Sequence, residues 1–190
     1  MKNSIKVLIG IGVIAFLFIL SFIGGYNNLV SKSEGIQAAL GQIDNQLQRR
    51  NDLIPNLVET VKQFAAQEEE VFLGVSEARA KLAGATTVAE QAEGDAAVTS
   101  ALSRLLAISE AYPELKSNQN FLQLQDELAG TENRIATARM DYNNVVKAFN
   151  ERIRRFPTVI YAGMLGFDKA DYFEASEGAR TNPDVGDLFE

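Results

Sequence analysis

The stretch "QLQRRNDLIPNLVETV", residues 46–61, places two adjacent arginines and a proline inside a run that otherwise has the spacing of a helix. Apolar residues recur there at alternating steps of three and four, the pattern of a helix packed lengthwise on other helices. The pattern keeps its phase across the proline, since its positions are Ile43, Leu47, Arg50, Ile54 and Leu57. We therefore favour a helix that continues through Pro55 with a kink, because a loop would normally lose the phase.

An alternative interpretation breaks the helix in this stretch. Asp52 could cap a new helix that begins at Leu53, and Pro55 would then be an accepted first-turn residue. The choice matters for function, because a proline in a helix interior costs about 3 kcal/mol and frees the carbonyl four residues earlier, that of Asn51. A continuous helix would make Pro55 a candidate hinge.

The chain begins with an apolar segment, Val7 to Gly25, in which Ser21 is the single polar residue. It is long enough for a bilayer core, which needs about 20 apolar residues. No small-x-small cleavage site follows it, so we predict a retained transmembrane helix and not a cleaved signal peptide. Lys2 and Lys6 precede the segment, and the positive-inside rule then puts the N-terminus in the cytoplasm and the rest of the chain outside.

Apolar periodicity predicts three long helices after this anchor, and no strand pattern accompanies them. Thr87 and Glu90 form a capping-box pattern at the start of the second helix, and Pro157 ends the third. The predicted fold is all-α, an elongated antiparallel helical bundle on an N-terminal transmembrane helix. The predicted parts are a cytoplasmic tip and anchor (1–26), a bundle (27–157, with helices at about 27–83, 88–111 and 118–156), and a short apolar segment with a mobile tail (158–190).

Arg50 and Glu68 both fall at core positions of the first long helix. Charges at such positions are expensive unless they are paired, so we expect opposite charges on the facing helices. We interpret this layer as one that fixes helix register, with a ligand site as the alternative. The candidate residues of the polar layer or interaction site are Arg49, Arg50, Asp52, Pro55, Glu68, Glu132, Arg134, Arg139 and Asp141.

Two features near the end of the third long helix allow two interpretations each. Arg152, Arg154 and Arg155 could complement the helix dipole, or they could contact an anionic headgroup or an acidic partner. The apolar run "TVIYAGMLGF", residues 158–167, is too short to span a membrane. We favour a short helix that closes the bundle, and the alternative is an interfacial segment that lies on lipid.

Composition narrows the function classes. The chain has no cysteine and no histidine, which removes thiol chemistry, the commonest metal ligand and the usual general base at neutral pH. Its net charge of -7 does not attract nucleic acid. We predict that the protein is not an enzyme and that it binds no metal, no cofactor and no nucleic acid.

Three long stretches together closely resemble the LemA family of bacterial membrane proteins. They are "QIDNQLQRRNDLIPNLVETVKQFAAQEE" (42–69), "YPELKSNQNFLQLQDELAGTENRIATARMDYNNVVKAFNERIRRFP" (112–157) and "GFDKADYFEA" (166–175). The resemblance implies an N-terminal transmembrane helix, a helical bundle and no established enzymatic activity. Gln67 stands where many relatives carry histidine. Family descriptions have also placed the N-terminus outside, opposite to the orientation that the lysines indicate.

The leading functional hypothesis is a non-catalytic, single-pass protein of the bacterial cytoplasmic (inner) membrane, anchored in lipid through residues 7–25. It would act as a scaffold or adaptor that binds an unidentified membrane or envelope protein and itself. Self-association is expected because the last long helix exceeds its predecessor and leaves an apolar stripe to be covered. The alternative is a membrane-bound sensor or ligand receptor with a hinge at Pro55.

Overall fold

The computed structural model describes residues 2–174, without the side chains of residues 2–5 and 7. Helices make up most of this range, and no strand occurs within it, so the all-α prediction is confirmed. The α-helices are α1 (Lys2–Lys62), α2 (Glu69–Ala83), α3 (Val88–Ile108), α4 (Pro113–Lys116) and α5 (Gln119–Arg154), and 3₁₀ turns follow at Thr158–Ile160 and Gly163–Leu165.

Helix α1 passes through Pro55 without interruption, so the predicted continuity of the opening stretch is confirmed and Asp52 caps no new helix, whereas the kink at Pro55 stays a prediction. The same helix changes its surroundings along its length. Its apolar side chains from Leu8 to Ile23 are largely exposed. Leu29 and, further along, the apolar residues at alternating steps of three and four, which we call the seam, are buried. Within residues 2–174, α1 is the one helix long and apolar enough to cross a membrane.

The predicted helix at 27–83 is wrong in one respect, because it is two helices separated by residues 63–68. Glu69 and Glu70 lie in the first turn of α2, where the helix dipole favours carboxylates. Tyr112 holds the connection: Gln67 Nε2 donates to its hydroxyl (2.7 Å), which donates to Glu68 Oε1 (3.3 Å). The apolar spacing does not reveal this break, since it resumes in α2.

Helices α3 and α5 lie close to their predicted ranges, and the capping box of Thr87 and Glu90 is present. Helix α5 ends two residues before the predicted end at Phe156. Phe156 itself is 78% exposed, because the helix stops at Arg154. The residue before Pro157 is pushed out of the α region, so its side chain leaves the helix face.

The chain forms two compact units that each combine distant parts of the sequence. Unit 1 comprises the residues up to Leu40 together with Asp141–Asp171, and unit 2 comprises Gly41–Met140 together with the described residues from Tyr172. The sequence-based division at residues 26 and 157 runs along the chain and stays a prediction. The predicted mobile tail falls mostly on residues 175–190, which lie outside the described residues.

In unit 1 the chain turns after α5 and runs back along it as a return segment, residues 166–171. The side-chain amide of Asn150 holds this segment, since Nδ2 donates to the carbonyl of Ala170 (2.8 Å) and Oδ1 accepts from its N–H (2.9 Å). Tyr142 donates its hydroxyl to the carbonyl of Asp171 (2.9 Å). Burial, and then the negative charge of Asp171, raise the pKa of Tyr142.

In unit 2, α2 and α3 form a closely packed hairpin. A Cβ atom at Gly94 would lie 2.7 Å from the Cα and 3.1 Å from the N of Leu82. Gly94 therefore lets the two backbones approach, although glycine weakens a helix interior by about 1 kcal/mol relative to alanine. Seam residues of α1, α2, α3 and α5 fill the core, among them Ile54, Val75, Leu105 and Ile135.

The start of α3 generates a pH prediction. Hydrogen bonds from the backbone N–H and hydroxyl of Thr86, and from the backbone N–H of Thr87, lower the pKa of Glu90 from its ordinary value of 4.5. A carboxylate whose pKa is lower in the folded state stabilises that state above its unfolded pKa, and the contribution is lost as pH falls through the folded pKa. Glu90→Gln should therefore flatten the decline of unfolding free energy below about pH 4.5.

Urea unfolding followed by circular dichroism, repeated between neutral and acidic pH, measures this effect. Thr86→Val serves as a graded control, since it removes the hydroxyl donor and keeps both backbone donors. It should flatten the same decline by less than Glu90→Gln does. An identical pH dependence in the parent chain and in Glu90→Gln would contradict the assignment.

Candidate functional site

Three helices of unit 2 bring four charged side chains together. We call this cluster the charge centre: Arg50 of α1, Asp95 of α3, and Glu132 and Arg139 of α5. Arg50 is 4% exposed and Asp95 is 2% exposed, so the two charges at the middle are removed from water. Glu132 and Arg139 lie at the edge and are partly exposed.

Arg50 is the branching point of the charge centre. Its Nη1 donates to Oδ1 of Asp95 at 2.8 Å and lies 2.8 Å from Oε2 of Glu132, the latter an ion pair without hydrogen-bond geometry. Its Nη2 donates to the hydroxyl of Thr99 at 3.0 Å. One guanidinium therefore connects α1 to both α3 and α5, using the fork of donors that distinguishes arginine from lysine.

The second arginine completes the neutralisation of Asp95. Arg139 Nη2 donates to Oδ2 of Asp95, so the two carboxylate oxygens face different guanidinium groups. The other face of Arg139 lies over the ring of Phe173, 4.4 Å from its centroid. Phe173 is buried and belongs to the segment that follows α5, so the end of the described chain covers this edge of the charge centre.

The charge centre is electrically balanced, with two cations and two anions. Burying charges is tolerated when each meets an opposite charge with good geometry. The arrangement joins α1, α3 and α5 at one level, and none of its four side chains is a nucleophile set beside a base. Among residues 2–174, no group of three or more carboxylates is placed to hold a metal ion.

The structure brings together part of the predicted polar layer. Arg50 is buried, Glu132 lies beside it, and Arg139 donates to the same carboxylate, that of Asp95, to which Arg50 donates. Glu68 is wrong as a buried partner in the layer, because it is half-buried at the start of α2 and bonds to Tyr112. Four other predicted members are exposed and form no ion pair with a described residue: Arg49, Asp52, Arg134 and Asp141. Pro55 is half-buried inside α1.

Sequence reasoning missed Asp95, the most buried member of the charge centre. A signal was available, because Asp95 lies three residues before Val98, which begins the buried run Val98, Leu102, Leu105. Extending that run towards the N-terminus places the carboxylate on the core face of α3. The flanking Gly94 indicated a close helix approach at the same level.

The arginines at the end of α5 belong to unit 1 and are not part of the charge centre. Arg152 is half-buried, whereas Arg154 and Arg155 are exposed. Arg155 Nη2 lies 3.5 Å from Oε2 of Glu151, one turn earlier in the helix. This surface pair contributes little to stability, so two guanidinium groups remain available at the surface.

A surface groove of about 410 Å³ lies between α2 and α3 in unit 2. Small residues leave the floor of the groove open, and a Cβ at Gly74 would meet nothing within 4 Å. Another protein surface could therefore approach the backbone closely at this point. Charges of both signs also line the groove. Its lining includes Gly74, Ala78, Ala97 and Ala101 among the small residues and Glu70, Glu77, Lys81 and Arg104 among the charged ones.

The charge centre generates a stability prediction. Asp95→Ala should lower the free energy of unfolding by about 3–5 kcal/mol, because it leaves Arg50 buried without its one buried counter-charge in the charge centre. Glu93→Ala is the matched control on the same helix. Glu93 pairs with Lys81 at 3.2 Å, but both side chains are more than half exposed, so its removal should cost no more than about 1 kcal/mol.

Urea unfolding in mild detergent provides both values. A second variant, Arg50→Met with Asp95→Leu, tests whether the centre is only structural, since apolar replacement of a buried pair is often neutral. It should recover most of the stability lost in Asp95→Ala. Equal losses in Asp95→Ala and Glu93→Ala would contradict the burial argument.

Comparison with known proteins supplies the family. Residues 39–186 match the sequence model described as the LemA family. "Magnetosome protein MamQ 2" of Paramagnetospirillum magneticum is 28% identical over all of this chain and 79% of its own length. "Protein LemA" of Metamycoplasma hominis is 28% identical, with 98% of this chain and 90% of that protein covered. The match includes all four residues of the charge centre, and the chain belongs to the LemA family.

Proposed function

We propose that the protein is a membrane-anchored, non-catalytic scaffold or adaptor that acts by binding other proteins, including a second copy of itself. Its membrane would be the bacterial cytoplasmic (inner) membrane, with the helical units outside the cytoplasm. Relatives named as magnetosome proteins or as Protein LemA carry names that state no reaction, which supports a non-enzymatic role. The anchoring part of the proposal depends on α1.

The observation that carries this proposal is the exposed apolar stretch of α1. From Leu8 to Leu20 its large apolar side chains are all at least 50% exposed, whereas Leu29 and core positions further along the same helix are buried. An exposed apolar surface of this extent requires another apolar environment. A bilayer core matches its length, and Lys2 and Lys6 favour a cytoplasmic N-terminus.

The binding part of the proposal uses the groove between α2 and α3. A second copy is the occupant we propose, because the groove is self-complementary in charge. Its carboxylates Glu70 and Glu77 lie on α2 and its cation Arg104 lies on α3, while the second cation, Lys81 of α2, pairs with Glu93 of the same chain. A two-fold axis along the groove would set the carboxylates of each copy against the arginine of the other, as in a symmetric dimer.

Filling the groove should disrupt this association. Gly74→Arg places a long cation in the groove, and its Cβ would meet nothing within 4 Å. The matched control is Gly41→Arg in α1, whose Cβ would also meet nothing within 4 Å but which does not line the groove. The charge and volume added are identical, so any general effect on folding or solubility appears in both variants.

Light scattering after size-exclusion chromatography in mild detergent measures the association. The parent chain and Gly41→Arg should be oligomeric at micromolar concentration, and Gly74→Arg should dissociate about tenfold more readily, the effect of roughly 1.4 kcal/mol at an interface. A monomeric parent chain would count against self-association. Equal behaviour of the two arginine variants would place the contact outside the groove.

The sensor hypothesis stays the alternative, since Pro55 lies inside the uninterrupted α1. Pro55→Ala restores a backbone donor for the carbonyl of Asn51 and should raise the free energy of unfolding by up to about 3 kcal/mol. In a scaffold, the stabilised variant keeps its association and its crosslinked partners in the intact cell. Loss of those contacts in a more stable protein would favour the hinge.

A further inference from the structure

Unit 1 contains an apolar surface that the proposed scaffold does not use. After α5 the chain makes two 3₁₀ turns, and residues 156–167 contain no charged side chain. Some side chains of residues 156–167 are buried, and the apolar side chains between them are exposed. Thr158, Tyr161 and Ala162 are buried, whereas the large apolar residues between them are exposed: Phe156, Val159, Ile160, Met164 and Leu165.

The buried side of this stretch contacts α1 at the end of its apolar segment. The rings of Phe22 and Tyr161 meet edge to face with centroids 4.7 Å apart. A Cβ at Gly25 would lie 1.9 Å from the hydroxyl oxygen of Tyr161, so any larger residue at position 25 would require the tyrosine ring to shift. Phe22 and Gly25 are the last turn of the predicted span, and the stretch therefore sits where α1 would leave the bilayer.

The neighbouring groups are those typical of a membrane surface. Tyr26 and Phe167 form a second edge-to-face pair, with centroids 6.0 Å apart, and aromatic rings are enriched at the level of lipid headgroups. Arg152 lies near the same place, since its Nη2 would be 3.9 Å from a Cβ at Gly25. Arg154 and Arg155, which follow it, are exposed and can reach phosphate oxygens with forked donors.

We propose that residues 156–165 form a second membrane contact, in which the exposed side chains of Phe156, Val159, Ile160, Met164 and Leu165 enter the lipid interface. Arg154 and Arg155 contact anionic headgroups beside them. The exposed apolar residues of α1, such as Ile19 and Ile23, are covered by the same lipid, which is the reason to choose a bilayer over a protein partner. This inference rests on the proposed anchoring by α1.

Single cysteines provide the test, because the chain has none of its own. Met164→Cys reports on the proposed contact, since Met164 is 86% exposed. Met140→Cys is the matched control, a methionine of α5 that is 58% exposed and lies in unit 2. Ile14→Cys reports on the span itself. Each full-length variant is labelled with an environment-sensitive fluorophore and reconstituted in phosphatidylcholine vesicles, with or without phosphatidylglycerol.

Quenchers attached to lipid at shallow and deep positions, and iodide in the water, locate each label. The Met164 label should be quenched several-fold more by the shallow lipid quencher than the Met140 label, and less by iodide. Equal quenching of these two labels would overturn the proposal. Protection of the Met164 label from lipid and iodide quenchers alike would show a protein covering and would also overturn it.

The same experiment separates this inference from the anchoring on which it rests. If the Ile14 label is reached by the deep quencher and the Met164 label by no lipid quencher, the anchor stands and the second contact fails. If the Ile14 label is not reached by lipid quenchers, the proposed anchoring fails. A blue-shifted emission from the Met164 label, measured alongside, gives an independent sign of an apolar environment.

The headgroup contact has its own variant. In the Met164→Cys background, Arg154→Gln with Arg155→Gln should abolish the additional quenching that phosphatidylglycerol produces. The control Arg134→Gln with Lys147→Gln removes the same charge from exposed positions of α5. It should leave the additional quenching by phosphatidylglycerol unchanged. Equal quenching in the two lipid compositions for the unsubstituted background would overturn the contact with anionic headgroups.

Discussion

The arrangement of unit 2 depends on the ion pair between Arg50 and Asp95. A heptad seam of leucine and isoleucine can slide by a turn and still bury similar apolar area, whereas a buried guanidinium has few acceptable positions. Because Arg50 must meet Asp95 of α3 and Glu132 of α5 together, it sets the register of three helices at one level. The apolar layers above and below then pack in the register that this pair defines.

Sequence periodicity was sufficient to predict the helices and the burial of Arg50, because both follow from which residues share one helix face. It could not detect the break at residues 63–68, where the apolar spacing resumes in α2 and the interaction of Gln67 and Glu68 with Tyr112 is not local. It missed Asp95: the spacing of three residues to Val98 places Asp95 on the core face of α3, but it does not identify the buried cation that Asp95 meets, Arg50 on another helix. Arg134 and Asp141 were near the layer in sequence, but they lie on the exposed side of α5.

Unit 1 shows how a short polar side chain organises an irregular segment. The amide of Asn150 takes the place of a secondary-structure partner for Ala170, and Tyr142 does the same for Asp171. These contacts satisfy backbone groups that would otherwise need a helix or strand. Phe167 is thereby held between the rings of Tyr26 and Phe149, so the chain after α5 is fastened to both helices that form this unit.

The close approach at Gly94 limits how this protein can diverge. A new Cβ there would strike the main chain of Leu82, and no side-chain exchange at position 82 can remove a main-chain atom. A smaller side chain at position 82 therefore cannot make room for a side chain at position 94. Replacing Gly94 requires α3 to move away from α2. That movement would also displace the carboxylate of Asp95, which neutralises Arg50. We therefore expect residues 94 and 95 to change together in evolution or to remain unchanged.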